Sequence, residues 1–320
     1  MPLLFKTLSY HPFTTPNKGL AGLFVIWFFS LGIFTSCNQD LVFRTKDSER
    51  KIVVGVDIVE HQKIRVQASV SQFITEDTNV QYLANATVKF FLNDTFIEEL
   101  KTNSHGHALS TFVPHANDSI RVEISKEPYP KVICREKLPG KMILHQFDTL
   151  GRIGNNLGLR IGFFDEPLVS NYYFVQLRAY RWNYRRHSVT QKIIDSSLII
   201  ENLPVESVGK IFFSDNNIVS INTSFEIFND LIFNGQAFTL DLNINSYNLQ
   251  KTIKKSAVVS LEIEVRNLSK TNYDFLVATS LNRPIFGGPF AISSQIPNNI
   301  ENGYGICTAY TIDKRGITMK

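Results

Sequence analysis

Period-two alternation constrains this chain more than any other feature. Ile64, Val66, Ala68 and Val70 alternate with Arg65, Gln67 and Ser69. Successive side chains on an extended strand point to opposite faces, so this segment buries one face and wets the other. Ile52, Val54, Val56 and Ile58 carry the same pattern, as do Ala86, Val88, Phe90 and Leu92 before an Asn93-Asp94 turn. Thr95 to Leu100 returns from that turn, and His105-Gly106-His107 makes another. Ala108 to Val113, then Ile120, Val122 and Ile124, complete a meander. Short strands at this even spacing predict a small β-sandwich. Glu127-Pro128-Tyr129-Pro130 and Leu138-Pro139-Gly140 break the pattern and place a boundary there. The expected organisation is therefore an N-terminal sandwich over 51–140 and a larger β domain over 141–320.

The second half alternates too. Leu157, Leu159, Ile161 and Phe163 precede a break at Asp165-Glu166-Pro167, and Asn171 to Tyr184 reads as one long strand. Leu198 to Ile200, Lys210 to Phe213, Ala237 to Ile244 and Ala257 to Val265 are further strands. One helix is predicted. Thr271 caps it, Asp274 reaches back to the cap, and Tyr273, Leu276, Val277, Ser280 and Leu281 share a face. Asn282-Arg283-Pro284 ends it, because proline disfavours helix in the preceding residue. Gly287-Gly288-Pro289 and Gly303-Tyr304-Gly305 read as closing turns. The fold class is mostly β, a sandwich followed by a larger sandwich or barrel-like domain with one short helix.

Residues 1–36 read as a lipoprotein signal peptide. Lys6, His11 and Lys18 flank a continuous apolar run from Leu20 to Phe34, which stops at Thr35-Ser36-Cys37. Small residues before a cysteine suit lipoprotein processing: the thiol takes a diacylglycerol and the chain is cut before Cys37. A spanning helix wants about 20 apolar residues, and this run is shorter. Several acyl chains hold a protein stably at a bilayer. The expected location is the outer membrane, lipid-anchored on the periplasmic leaflet or the cell surface. Residues 37–50 are polar and unpatterned, a tether. Two cysteines remain, Cys134 and Cys307, and the sequence leaves open whether they pair or stay buried as free thiols.

Charge and motifs exclude several classes. Lys and Arg number 33 against 29 Asp and Glu, with Lys6 and Lys18 in the leader, so no basic stripe marks a nucleic-acid partner. No Gly-x-Ser-x-Gly, His-Glu-x-x-His or phosphate-loop pattern occurs, and no cofactor or catalytic residue is expected. His105, His107 and His115 are the one histidine cluster, read as exposed turn residues, since a metal site needs three or four convergent ligands. Asp165-Glu166 reads as a solvated turn. Asp118-Ser119-Ile120 and Asp148-Thr149-Leu150 resemble the Bacteroidota O-glycosylation tripeptide. The candidate binding surface is Arg178, Tyr180, Trp182 and Tyr184, which share one face of a strand. Aromatic rings beside guanidinium groups can stack on and hydrogen-bond a glycan or peptide. The plainer reading is a strand buried on both faces, with Arg185-Arg186 marking its exit to solvent.

The tail Asn299-Ile300-Glu301-Asn302-Gly303-Tyr304-Gly305-Ile306 resembles the closing signature of the Bacteroidota lipoprotein family called domain of unknown function 4249. Asn171-Tyr172-Tyr173, Asp230-Leu231-Ile232-Phe233-Asn234-Gly235 and the helix with Tyr273 agree with it. The resemblance implies an Ig-like or carboxypeptidase-regulatory-like sandwich before a larger β domain. It also implies an envelope lipoprotein, often encoded beside a TonB-dependent receptor, and no established catalytic residue. In the tail, Gly303 and Gly305 are expected to take positive φ, and Asn299 and Asn302 to bond turn backbone, so that the motif holds the last strand in place. The family would carry a bulky apolar residue where Cys307 stands. Two expectations follow: an accessory to a TonB-dependent outer-membrane transporter, or a structural or adhesive surface module without one.

Overall fold

The computed structural model describes residues 49–73, 79–153, 156–188, 190–207, 224–245, 258–281 and 295–318. In the first half lie β1 (Ile52–Val59), β2 (Arg65–Val70), β3 (Thr87–Leu92), β4 (Thr95–Lys101), β5 (His107–Leu109), β6 (Ser119–Lys126) and β7 (Tyr129–Lys137). The second half carries β8 (Leu144–Ile153), β9 (Asn156–Phe164), β10 (Tyr172–Arg186), β11 (Ile193–Leu203), β12 (Glu206–Ser207), β13 (Phe225–Asn229), β14 (Ala237–Asn245) and β15 (Val258–Leu268). Helix α1 (Lys270–Leu281), β16 (Ile300–Glu301) and β17 (Tyr304–Thr318) close the described chain. The fold is mostly β, as the alternation requires.

The strands form three sheets. The largest runs β11-β10-β15-β17-β1-β2-β5, with β13 also paired to β10. A five-stranded sheet runs β16-β7-β6-β3-β4, and a four-stranded one β12-β14-β9-β8. Two cores lie on one face of the large sheet. The first joins Val54, Val56, Val66 and Ala68 of β1 and β2 to Val88, Phe90, Val122 and Val132 of the five-stranded sheet. The second joins Tyr173, Val175, Leu177, Ile263 and Val265 of β10 and β15 to Leu159, Ile161, Phe163 and Leu240 of the four-stranded sheet. Residues that face each other in register share a face, and β17 connects the two regions: Val265 sits opposite Asp313, while Cys307 sits opposite Val56.

β17 pairs parallel with β1 and antiparallel with β15. It therefore carries Cys307 and Ala309 into the first core although it comes last in the chain. Asn299 fixes its start. The Cys307 amide donates to Asn299 Oδ1 at 2.8 Å, and Asn299 Nδ2 donates to the Cys307 carbonyl at 2.9 Å, so one side chain stands in for a strand neighbour. Gly305 has φ +127°, and a Cβ there would lie 1.9 Å from the Val54 carbonyl oxygen. The expectation for Gly303 is corrected: Asn302, at φ 61°, takes the left-handed conformation. Gly303 is needed because a Cβ would meet Val132 Cγ1 at 2.6 Å and the Ile52 carbonyl oxygen at 2.7 Å.

Other expectations also change. The proline-rich break after Ile124 is a turn into a further strand, β7, which the alternation did not suggest. The strand expected over Ala108 to Val113 ends at Leu109. The helix is capped two residues earlier than expected: the Asn272 amide donates to Ser269 Oγ at 3.3 Å. Thr271 instead hydrogen-bonds Glu136, and Asp274 takes Lys270 Nζ at 2.6 Å. Asn272 and Ala278 are the deepest helix positions, with Tyr273, Leu276, Val277 and Ser280 only partly buried. The expected strand at Lys210 to Phe213, the Asn282-Arg283-Pro284 stop and the Gly287-Gly288-Pro289 turn lie outside the described residues, as do the leader and Cys37.

Candidate functional site

Strand parity places Arg178, Tyr180, Trp182 and Tyr184 on the face of the large sheet that looks away from the cores. Tyr173, Val175, Leu177 and Ala179 point the other way and are buried. The four outward residues then divide. Arg178 Nη1 donates to Glu264 Oε2 at 2.6 Å, and Tyr180 donates its hydroxyl to Glu262 Oε1 at 2.9 Å. Glu264 is 1% exposed and also receives Arg266 Nε at 2.6 Å and Lys314 Nζ at 3.0 Å. Burial alone would raise this carboxyl. The charge of Arg266, with help from Lys314 and Arg178, outweighs it and holds Glu264 below the ordinary carboxylate range. Arg178 is thus a partner of the buried Glu264, and Tyr180 of the partly buried Glu262.

Trp182 and Tyr184 behave differently. Among the described residues the pairing of β10 with β15 reaches Arg181, and beyond it β10 and β11 pair as a ribbon up to Arg186. Trp182 is 36% exposed and Tyr184 40% exposed, and Leu198 and Ile200, opposite Trp182 and Tyr180, are exposed too. The outcome is intermediate between the two sequence readings: β10 is buried on both faces only as far as Ala179.

The same outward face holds a groove of about 460 Å³ over β1, β2 and β17, flanked by Phe275 and Leu276 of α1. Its floor contains Gly55, and no described residue comes within 4 Å of the place a Cβ would take. Arg65, ion-paired to Asp57 at 2.5 Å, lies on one side. On the other, Arg266 is sandwiched between rings, its guanidinium carbon 4.5 Å from the Phe174 centroid and 4.6 Å from that of Tyr310. A glycine inside a strand often marks close approach of another molecule or backbone.

A third cluster was not foreseen as a unit. Asp165, expected as a solvated turn residue, is only 5% exposed, whereas Glu166 is exposed. Asp165 Oδ1 accepts from the Tyr173 hydroxyl and from Asn171 Nδ2 at 3.1 Å, and its Oδ2 accepts from the Gly235 amide at 2.7 Å. Asp230 Oδ2 accepts the Asn171 amide at 2.7 Å and Asn234 Nδ2 at 3.2 Å. Asn267 Nδ2 links Asn171 Oδ1 at 3.0 Å to the Gly140 carbonyl at 3.2 Å. Burial, aided by the charge of Asp165, pushes the Asp230 carboxyl up. Burial and the Asp165 hydrogen bond push the Tyr173 phenol far above its usual value. The cluster ties the loops after β9 and β13 to Tyr173 of β10 and Asn267 of β15, and through Asn267 to Gly140, where the chain passes from the first core to the second. The signal was available: Asn171-Tyr172-Tyr173 and the Asp230 to Gly235 segment both belong to it.

The histidines do not converge. His105, His107 and His115 are exposed, and Asn103 Oδ1 receives the amides of His105 and His107 at 2.9 and 3.0 Å. Among the described residues no group of three His, Cys, Asp or Glu side chains is placed to hold a metal. Ser119 and Thr149, in the two glycosylation-like tripeptides, are exposed.

These features define a β protein with two cores on one long sheet, whose opposite face carries an aromatic ribbon and a guanidinium-lined groove. Residues 38–315 match the model of the family described as domain of unknown function DUF4249, and the chain belongs to that family. No curated protein matches it. Among the described residues no helix is long and apolar enough to cross a membrane.

Proposed function

We propose that the protein is a non-catalytic lipoprotein of the bacterial cell envelope. Acyl chains on Cys37 moor it at the outer membrane, and it serves a TonB-dependent transporter by capturing substrate or gating entry. The Thr35-Ser36-Cys37 junction after an apolar run supports the anchor. The outward face of the large sheet supports the binding role. The observation that carries it is the ribbon, where Trp182 and Tyr184 stand exposed beside Leu198 and Ile200 instead of being folded into a core. Exposed aromatic rings next to basic side chains are the material of recognition surfaces for glycans, peptides and partner proteins.

The test is purification from detergent-solubilised outer membranes, comparing the natural chain with Trp182→Ala and Tyr184→Ala. The expected result is a co-purifying outer-membrane receptor whose recovery falls at least tenfold with the double substitution, while the melting temperature is unchanged. Absence of any receptor, or a loss of binding that tracks a loss of stability, would overturn the reading.

A further inference from the structure

The two cysteines left after Cys37 come from strands far apart in sequence, yet they belong to one core. Cys134 lies on β7 of the five-stranded sheet and is 1% exposed, and Cys307 lies on β17 of the large sheet and is 0% exposed. Their strands are held on both sides. Cys134 sits in register with Val122 and with Ile300, and Cys307 with Val56. Asn299, next to Ile300, grips the backbone of Cys307 and also donates to Glu136 Oε2 on β7 at 3.2 Å. The side chains project from the two facing sheets toward each other and meet thiol to thiol. Both are free thiols in the structure.

We propose that Cys134 and Cys307 pair as an inter-sheet disulfide when the chain folds in an oxidising compartment, fastening the last strand to the first core. The bond forms by exchange with an external disulfide. One cysteine loses its proton and attacks a sulfur of the oxidant, giving a mixed disulfide and one released thiol. The second cysteine then attacks the protein sulfur of that mixed disulfide and expels the other oxidant thiol. The protein loses two hydrogens, and the oxidant is reduced to two thiols.

Timing follows from burial. The hydrogen bond that the Cys307 thiol donates to Cys134, together with the apolar surroundings, pushes Cys307 well above its ordinary value, so little reactive thiolate exists once the core has closed. Exchange therefore belongs to folding, and the finished bond is closed to reductants until the core opens. The pairing itself does not rest on the functional reading above; only the source of the oxidant does.

The full chain carrying Cys37→Ser is refolded from denaturant either with oxidised and reduced glutathione or with a phosphine reductant. The oxidative sample is expected to be two hydrogen masses lighter and to resist alkylation in denaturant. Digested without reduction, it yields the peptide of Cys134 joined to that of Cys307. It melts roughly 5 °C or more above the reduced sample, and Cys307→Val removes that difference. Two alkylatable thiols, stable glutathione adducts, or an oxidation-dependent shift that survives Cys307→Val would overturn the pairing. The natural chain is mapped in parallel after blocking free thiols in intact cells. A linked peptide there supports both the pairing and the envelope location. Free thiols there, with a bond formed on refolding, would sustain the pairing and overturn the location.

Discussion

At Glu264 one carboxylate neutralises the interior edge of a cationic cluster, and its replacement exposes how much the outward face depends on it. Glu264→Ala leaves Arg178, Arg266 and Lys314 facing one another around an emptied site, and a loss of about 3 kcal/mol is expected in urea unfolding. Glu264 titrates below its ordinary value in the folded chain, so its contribution is complete above the usual glutamate range. It fades as the pH falls through the lowered value. Melting curves taken between pH 3 and 6 are expected to flatten in Glu264→Gln relative to the natural chain. At Gly305, alanine would place a Cβ against the Val54 carbonyl in a conformation that L residues rarely adopt, so Gly305→Ala is expected to lose about 3 kcal/mol or more. Both residues show where sequence reading stops. Gly305 was legible, because a glycine between aromatic and apolar residues asks for a conformational reason. Glu264 was not, because alternation assigns it to an outward face and outward normally means solvated. Its burial comes from cations supplied by β10 and β17, which no local pattern connects.

Strands were the most legible elements, and the failures among them share a cause. β1, β2, β3, β6 and β14 follow the alternation closely, because each has one face in a core and one outside. β7 was hidden by Pro128 just before it and Pro130 inside it, which read as loop; the five-stranded sheet accepts Tyr129-Pro130 at the beginning of the strand. β17 was hidden by Gly303 and Gly305, which read as turns but admit the strand to a tight space against β1. The candidate surface was half legible. Period two grouped Arg178 with Tyr180, Trp182 and Tyr184, but Glu262 and Glu264, which hold the first two, come from another strand, so parity could not separate locked residues from exposed ones. Asn299 is the element-scale test. Asn299→Ala would leave the Cys307 amide and carbonyl without their side-chain partner at a buried strand start, and about 2 kcal/mol of destabilisation is expected by chemical denaturation, with faster amide exchange at 306–309.

For the whole molecule, the sheet order matters more than any single contact. The large sheet takes strands from both halves of the sequence, and β17 lies at its middle, between β15 and β1. Removal of residues 304–318 would strip a neighbour from each of those strands and take Cys307 and Ala309 out of the first core. A chain ended at 303 is expected to lose cooperative melting in both halves, not only near the cut, as calorimetry would show. The same order dictates a sequence of events in synthesis. A polypeptide emerging from its ribosome has β1 early and the strand that must lie beside it only after every other described strand. Neither interior can seal until β17 is released, and until then the nascent chain remains open, threadable and dependent on whatever shields it.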